Sequence, residues 1–127
     1  MAHNPHHEHL IAEVEKMFEP MLSRSPQAIY VYLDDEHKFC NKKFALLLGY
    51  KSTKEWVKNP YPLSDILPKD QKIVIKAYMN ASEKFTASTF AATLVKKSGK
   101  KIPANVIMVP FSYQKEVFVV HFISPVK

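Results

Sequence analysis

The sequence predicts an α+β domain: a five-stranded antiparallel sheet with short helices on one face and an amphipathic helix ahead of it. Three observations carry this expectation. Gln27 to Tyr50 reads as a strand, an acidic turn, a second strand and a short helix. Leu10 to Leu22 repeats apolar residues at helical spacing, and the last third of the chain alternates apolar and polar residues around two polar turns. Strands, then helices, then a run of strands point to α+β rather than to alternating βα units.

In the hairpin, Gln27 to Leu33 is rich in β-branched and aromatic residues. Asp34 to Glu36 breaks it, and His37 to Cys40 returns as the second strand. Asn41 suits the N-cap of the helix that follows, because its side chain accepts from first-turn N–H groups. Phe44, Leu47 and Leu48 fall at i, i+3 and i+4 on one face. Gly49 is the expected stop, since glycine takes positive φ without a Cβ penalty.

Ahead of the hairpin, Leu10, Ile11, Val14, Met17, Phe18, Met21 and Leu22 form an a/d-like stripe with Glu13, Glu15, Lys16 and Glu19 between them. Pro20 is expected to kink the last turn. Such a stripe needs cover, from the domain's own sheet or from a second copy. Residues 1–9 hold four of the six histidines. A His-rich terminus can collect divalent metal, but the simpler expectation is a disordered leader, and no metal ligand is assigned. The division is therefore 1–9 leader, 10–24 helix and 25–127 folded domain.

Beyond Gly49, Ser52 and Glu55 have capping-box spacing, and Asn59-Pro60-Tyr61-Pro62 is a rigid connector. Leu63, Ile66 and Leu67 form a short apolar element. Pro68 suits the first turn of a helix to about Lys84, with Ile73, Ala77, Tyr78 and Met79 inward and Lys69, Lys72 and Lys76 in water. Phe90, Ala92 and Leu94 mark one strand, and Lys96 to Lys101 a turn built on Ser98-Gly99. Ile102 to Phe111 is the next strand, and Tyr113 to Lys115 turns the chain into Val117 to Ile123. That last strand is apolar at nearly every position, which requires cover on both faces.

At 127 residues and 46% hydrophobic the chain suits one folded domain. It lacks a run of roughly 20 apolar residues and the layout of a signal peptide, and a single cysteine excludes an internal disulfide and a Cys-rich zinc site. A cytoplasmic protein is expected. Two glycines leave no glycine-rich phosphate loop. The balance of 18 Lys+Arg against 12 Asp+Glu gives +6. However, the lysines are dispersed and only one arginine is present, so solvated helix faces are the simpler reading and nucleic acid is not an expected partner.

Asn41 through Gly49-Tyr50-Lys51-Ser52 with Glu55, then Pro68-Lys69-Asp70, then the Lys96 to Lys101 turn with Gly99 follow one another as they do in the PAS domain family. The chain resembles that family from about Gln27 to Ser124, although the Asp34-Asp35-Glu36-His37 turn lacks the glycine often found there. The resemblance implies a sensor or interaction module that binds a small molecule between sheet and helices, or pairs through the sheet or a preceding helix.

The expected pocket residues are Ile29, Val31, Phe44, Leu47, Leu48, Trp56, Ile66, Ile73, Tyr78, Phe90, Leu94, Met108, Val120 and Phe122. The competing expectation is that they pack as core. Trp56, Tyr78 and Asn105 are the side chains able to orient a ligand. The expected dimer interface is Leu10, Ile11, Val14, Met17, Phe18, Met21 and Val119.

A family flavin photoreceptor carries its reactive cysteine in Asn-Cys-Arg on a helix, whereas Cys40 precedes Asn41 at a strand end and reads as a small hydrophobe. The common haem sensor needs a histidine on the connecting helix, and Pro68 to Lys84 has none. His37 and His121 lie on strands, where structural roles are expected. Covalent flavin and histidine-ligated haem are disfavoured, and the cofactor is left unassigned. No catalytic set is assigned: Asp34, Asp35 and Glu36 are neighbouring turn carboxylates, and Ser, His and Asp occur without a local signature. The expectation is a non-enzymatic PAS-like signalling module without its own output domain, working as a homodimer or with a protein partner. The alternatives are a small-molecule carrier or receptor, and a basic nucleic-acid-associated regulator.

Overall fold

The computed structural model describes residues 5–126. Five strands, β1 (Ala28–Asp34), β2 (His37–Cys40), β3 (Ser88–Val95), β4 (Lys101–Tyr113) and β5 (Glu116–Pro125), form one antiparallel sheet in the order β2-β1-β5-β4-β3. Four helices accompany it: α1 (Pro5–Arg24), α2 (Lys42–Leu47), α3 (Thr53–Val57) and α4 (Gln71–Lys84), with 3-10 turns at Pro62–Asp65 and Pro68–Asp70. The most apolar strand, β5, is the middle one, as its need for cover on both faces requires.

One face is covered by α1. Leu10, Val14 and Leu22 are buried against Ile29, Val31, Leu33, Phe39, Phe118 and Val120, with Ile11, Phe18 and Phe122 packed at the margin. The Phe18 ring meets the edge of Phe39 at 6.2 Å. The apolar stripe is thus covered within the chain, leaving Met17 and Met21 outward at 52% and 37% exposure.

The leader expectation is corrected for residues 5–9, which are helical; residues 1–4 lie outside the described residues. Pro5 sits where a missing N–H costs nothing, and Glu8 complements the positive end of the helix dipole. His7 ties this end down, with Nδ1 2.7 Å from Asp34 Oδ2 and Nε2 3.2 Å from Glu116 Oε1. The helix runs through Pro20 to Arg24.

The other face carries α2, α3, α4 and the 3-10 turns over a core that includes Phe44, Leu48, Trp56, Leu94, Met108, Val119 and Ile123. Asn41 caps α2 as predicted: its Oδ1 accepts from Phe44 N (3.0 Å) and Ile29 N (3.1 Å), and its Nδ2 donates to Gln27 O (2.9 Å). The same side chain therefore starts the helix and fastens it to β1. Gly49 follows α2 at φ +86°, and the Lys97 N–H donates to Leu48 O at 2.9 Å, joining this corner to the β3–β4 turn. Ser52 caps α3 by accepting from Glu55 N at 3.2 Å.

In α4 the buried residues are Val74, Ala77 and Ala81, with Tyr78 half-buried. These positions fix the phase of the helix at i, i+3, i+4 and i+7. Ile73 and Met79, expected inward, are therefore rotated out and 47% and 48% exposed. Two alanines at the contact let α4 approach the sheet closely. Gln114 and Lys115, both at positive φ, make the two-residue β4–β5 turn.

Truncating Leu10 to alanine removes a fully buried side chain between α1 and the sheet. We expect it to cost about 2–4 kcal/mol in urea unfolding, whereas Met17→Ala should change stability by less than about 0.5 kcal/mol.

Candidate functional site

Between the sheet and α4 lies a cavity of about 220 Å³. Tyr30, Tyr32 and His121 form its sheet side, Val74, Ile75 and Tyr78 its helix side, and Tyr61, Pro62, Leu63 and Ile66 the connector wall, with Asp35 at one end. Its size lies below the usual ~300–1,000 Å³ of drug-sized pockets, so it suits a small occupant.

The floor is the pair Tyr30 and His121, direct partners across β1 and β5. Their rings stack at 3.8 Å between centroids with 12° between planes. His121 is buried, and its Nδ1 donates to Val119 O at 3.2 Å. Burial pushes the imidazole pKa down to about 3, so the ring is neutral near pH 7. The Val119 and Tyr30 backbone groups both oppose this burial effect, and in the neutral ring one nitrogen carries the proton while the other is an acceptor. Burial raises the phenol pKa values of Tyr30, Tyr32 and Tyr78, which keeps all three as O–H groups. Tyr32 donates to Asp35 Oδ1 at 2.7 Å and meets the edge of the Tyr78 ring at 5.2 Å.

A buried polar network anchors the connector that walls the cavity. Tyr50 Oη donates to Asp65 Oδ1 at 3.0 Å, and Trp56 Nε1 donates to Asp65 Oδ2 at 3.0 Å. Burial raises the Asp65 pKa, opposed by hydrogen bonds from Trp56 and Tyr50 and by the Lys38 charge. Lys38, buried on β2, donates Nζ to Val57 O (2.9 Å), Asn59 O (2.8 Å) and Asp35 O, and lies 5.4 Å above the Trp56 ring. Burial lowers its pKa, against the pull of Asp35, Asp34 and Asp65. One lysine thus fastens the end of α3 and the following connector to the hairpin.

Of the expected pocket residues, the cavity takes Ile66 and Tyr78. Phe44, Leu47, Leu48, Trp56, Phe90, Leu94 and Met108 belong to the helix-side core around it. Ile29, Val31, Val120 and Phe122 are corrected: they face α1, on the opposite side of the sheet. Strand side chains alternate with period 2, so choosing the wrong parity moves a whole set to the wrong face. The same parity places Val119, expected at a dimer interface, in the helix-side core at 0% exposure. Asn105 is exposed on β4, and the Trp56 N–H is committed to Asp65.

The lining residues missed are Tyr30, Tyr32, Asp35 and His121 on the sheet side and hairpin, Tyr61, Pro62 and Leu63 on the connector, and Val74 and Ile75 on α4. One signal was available. On β1, hydroxyl-bearing Tyr30 and Tyr32 alternate with purely aliphatic Ile29, Val31 and Leu33, and only the latter suit an all-apolar α1 stripe. Cys40 lies in the helix-side core, where burial pushes its thiol up to about 12. The described part of α4 carries no histidine.

No protein-family model and no curated protein matches the chain. Solved structures do resemble it. A PAS domain from Colwellia psychrerythraea is 18% identical with a TM-score of 0.72, over 89% of this chain and 97% of that one. The PAS domain of an HTR-like protein from Haloarcula marismortui is 17% identical with a TM-score of 0.66, over 97% and 100%. A PAS domain from a two-component sensor histidine kinase is 17% identical with a TM-score of 0.65, over 91% and 99%. The chain therefore has the PAS fold.

Asp65→Ala would leave the Trp56 N–H and Tyr50 O–H unpaired in the core. A loss of about 2–4 kcal/mol is expected in urea unfolding. His121 supplies a pH test. Its folded pKa lies below the ordinary 6.5, so the unfolded chain binds the proton more readily. Its contribution is complete above pH 6.5 and is lost as pH falls toward 3, by up to about 1.4 kcal/mol per pH unit. Asp65 works in the opposite direction, since its raised pKa favours the folded state as acid is added. Comparing His121→Phe with the parent isolates the histidine: the variant should lose stability less steeply between pH 6.5 and 4.5. Parallel slopes in thermal melts would contradict the assignment.

Proposed function

We propose that this chain is a sensory module of the PAS type whose cavity receives a small planar molecule bearing a hydrogen-bond donor. The observation that carries the reading is the neutral, buried His121 stacked on Tyr30 at the cavity floor. A domain that only needed core packing would place an aliphatic side chain at the centre of its middle strand. An imidazole there costs desolvation and supplies a neutral ring with one acceptor nitrogen. Tyr32 adds a hydroxyl group from the sheet side and Tyr78 one from the helix side, and the aromatic walls suit a flat ring.

The same strands supply the relay. Tyr30 and His121 contact the cavity, while their chain neighbours Ile29, Val31 and Val120 pack against α1. A ligand that shifts β1 or β5 therefore changes the surface on which α1 rests. The outward Met17 and Met21 of α1 are the side chains offered to a second copy or a signalling partner. Non-enzymatic action fits this reading, because the polar groups of the cavity are neutral or already paired and present no nucleophile beside a base.

Native mass spectrometry of the full chain beside its denatured mass, followed by thermal-shift titration with small aromatic N–H and O–H heterocycles, tests the proposal. Retained mass or a saturable shift is expected, weakened about tenfold in His121→Phe, a loss of one hydrogen bond at about 1.4 kcal/mol. That variant keeps a ring against Tyr30, and circular dichroism confirms its fold. Absence of both retained mass and saturable shifts, or binding indifferent to His121→Phe, would overturn the reading.

A further inference from the structure

Where α1 begins, three chain segments bring two imidazoles and two carboxylates together. His7 on α1 points Nδ1 at Asp34 Oδ2, 2.7 Å away. His37 on β2 points Nδ1 at Asp34 Oδ1, also 2.7 Å away. One ligating atom from each of these three residues lies within 4.8 Å of the other two. The His7 and His37 rings stand edge to face at 5.9 Å between centroids, so both aim the same type of nitrogen at one carboxylate. Glu116, at the start of β5, lies 3.2 Å from His7 Nε2.

We propose that His7, His37 and Asp34 bind one divalent transition-metal ion of the zinc class, which staples the start of α1 to the β1–β2 hairpin. Two imidazoles and a carboxylate are a donor set suited to such ions, with solvent water completing the coordination. Ligand atoms bonded at about 2.0–2.1 Å in a tetrahedron stand about 3.3 Å apart. The present spacing around Asp34 is tighter by about half an ångström, a gap that side-chain rotation can open. On binding, each Nδ1 loses its proton while the ring keeps one on Nε2, so an imidazolium releases a proton to solvent and a neutral ring only changes tautomer. The two hydrogen bonds to Asp34 give way to three coordinate bonds, one each from His7, His37 and Asp34. His7 keeps its Nε2 proton, which it donates to Glu116, a carboxylate–histidine–metal arrangement that fixes the tautomer and the ring plane.

The geometry favours a metal over a purely structural ion pair: two Nδ1 atoms from separate segments converge on the two oxygens of one carboxylate, with one ligating atom of each residue within 4.8 Å of the other two. Side-chain exposure of 20% at His7 and 27% at Asp34 leaves an ion a route in, while His37 is held at 9%. The ligands come from positions 7, 34 and 37, so the site exists only when α1 is docked, and metal binding and docking strengthen each other.

Zinc sulfate is titrated into the untagged full chain by calorimetry, with the His3/His6/His9→Gln variant as control for the remaining terminal histidines. One saturable equivalent is expected in both. His37→Gln and Asp34→Asn should each weaken it at least tenfold, and Glu116→Gln about tenfold through the outer shell. Imidazole ¹⁵N spectra of the unmutated chain give a readout independent of any variant's folding: zinc should shift Nδ1 of His7 and His37. Absence of saturable binding, loss of binding in the His3/His6/His9→Gln variant with full retention in His37→Gln, or shifts confined to His3, His6 and His9 would overturn the site.

Discussion

The constraint on which this structure depends is the position of β5. As the middle strand of five it is flanked by β1 and β4 and covered on both faces. Its even-numbered residues Phe118 and Val120 join the α1 core, while Val119, His121 and Ile123 face α2–α4. Side-chain period 2 then commits β1 as well, because Tyr30 pairs with His121 and Val31 with Val120. One register decides which residues meet α1 and which meet the cavity.

The two faces differ in chemistry, and each asks for its own cover. The α1 side is almost wholly hydrocarbon and ring, so a helix with an apolar stripe satisfies it at ordinary packing density. The other side contains hydroxyls, an imidazole, a carboxylate and a lysine. It is covered by short elements whose carbonyls and N–H groups can reach those side chains. Lys38 and Asp65 show how this is tolerated. Each is buried, each has its ionised form disfavoured by burial, and each recovers part of that cost through several hydrogen bonds. Their combined effect is to fix the connector 57–65 against the hairpin, which holds the cavity wall in place.

The element order was legible because it rests on local signals. Asn41, Gly49, Ser52 and Pro68 each mark a boundary by a backbone requirement that one residue expresses. Burial of β5 on both faces was legible from its composition. The side of each strand was not, since hydrophobic patterning does not distinguish two buried faces. The tyrosines of β1 carried part of the missing information, as their polar tips suit the mixed polar face better than the apolar stripe of α1. Ile73 failed for a related reason: α4 uses small alanines at the contact, so the largest aliphatic residue of the helix was a poor guide to its phase. The structure of residues 5–9 was illegible for another reason. What holds His7 lies at positions 34 and 116, and proximity of that range appears only in the finished fold.

The docking of α1 depends on the same register. Its attachment has two parts with different sensitivities. The hydrocarbon contact of Leu10, Val14 and Leu22 is insensitive to pH and ions and answers to the placement of β1 and β5. The polar contact at His7 answers to protonation: burial, the largest single influence, lowers the imidazole pKa but is outweighed by Asp34 and Glu116 together. Burial raises the pKa of the Asp34 carboxyl, and hydrogen bonds from His7 and His37 outweigh it, leaving it below its ordinary range. His7 therefore strengthens docking below its raised pKa, and Asp34 strengthens it above its lowered one, so the polar contact is strongest in the mildly acidic interval between them. α1 is thus held by hydrocarbon along its length and by a polar cluster at its first turn, two attachments whose strengths answer to different conditions.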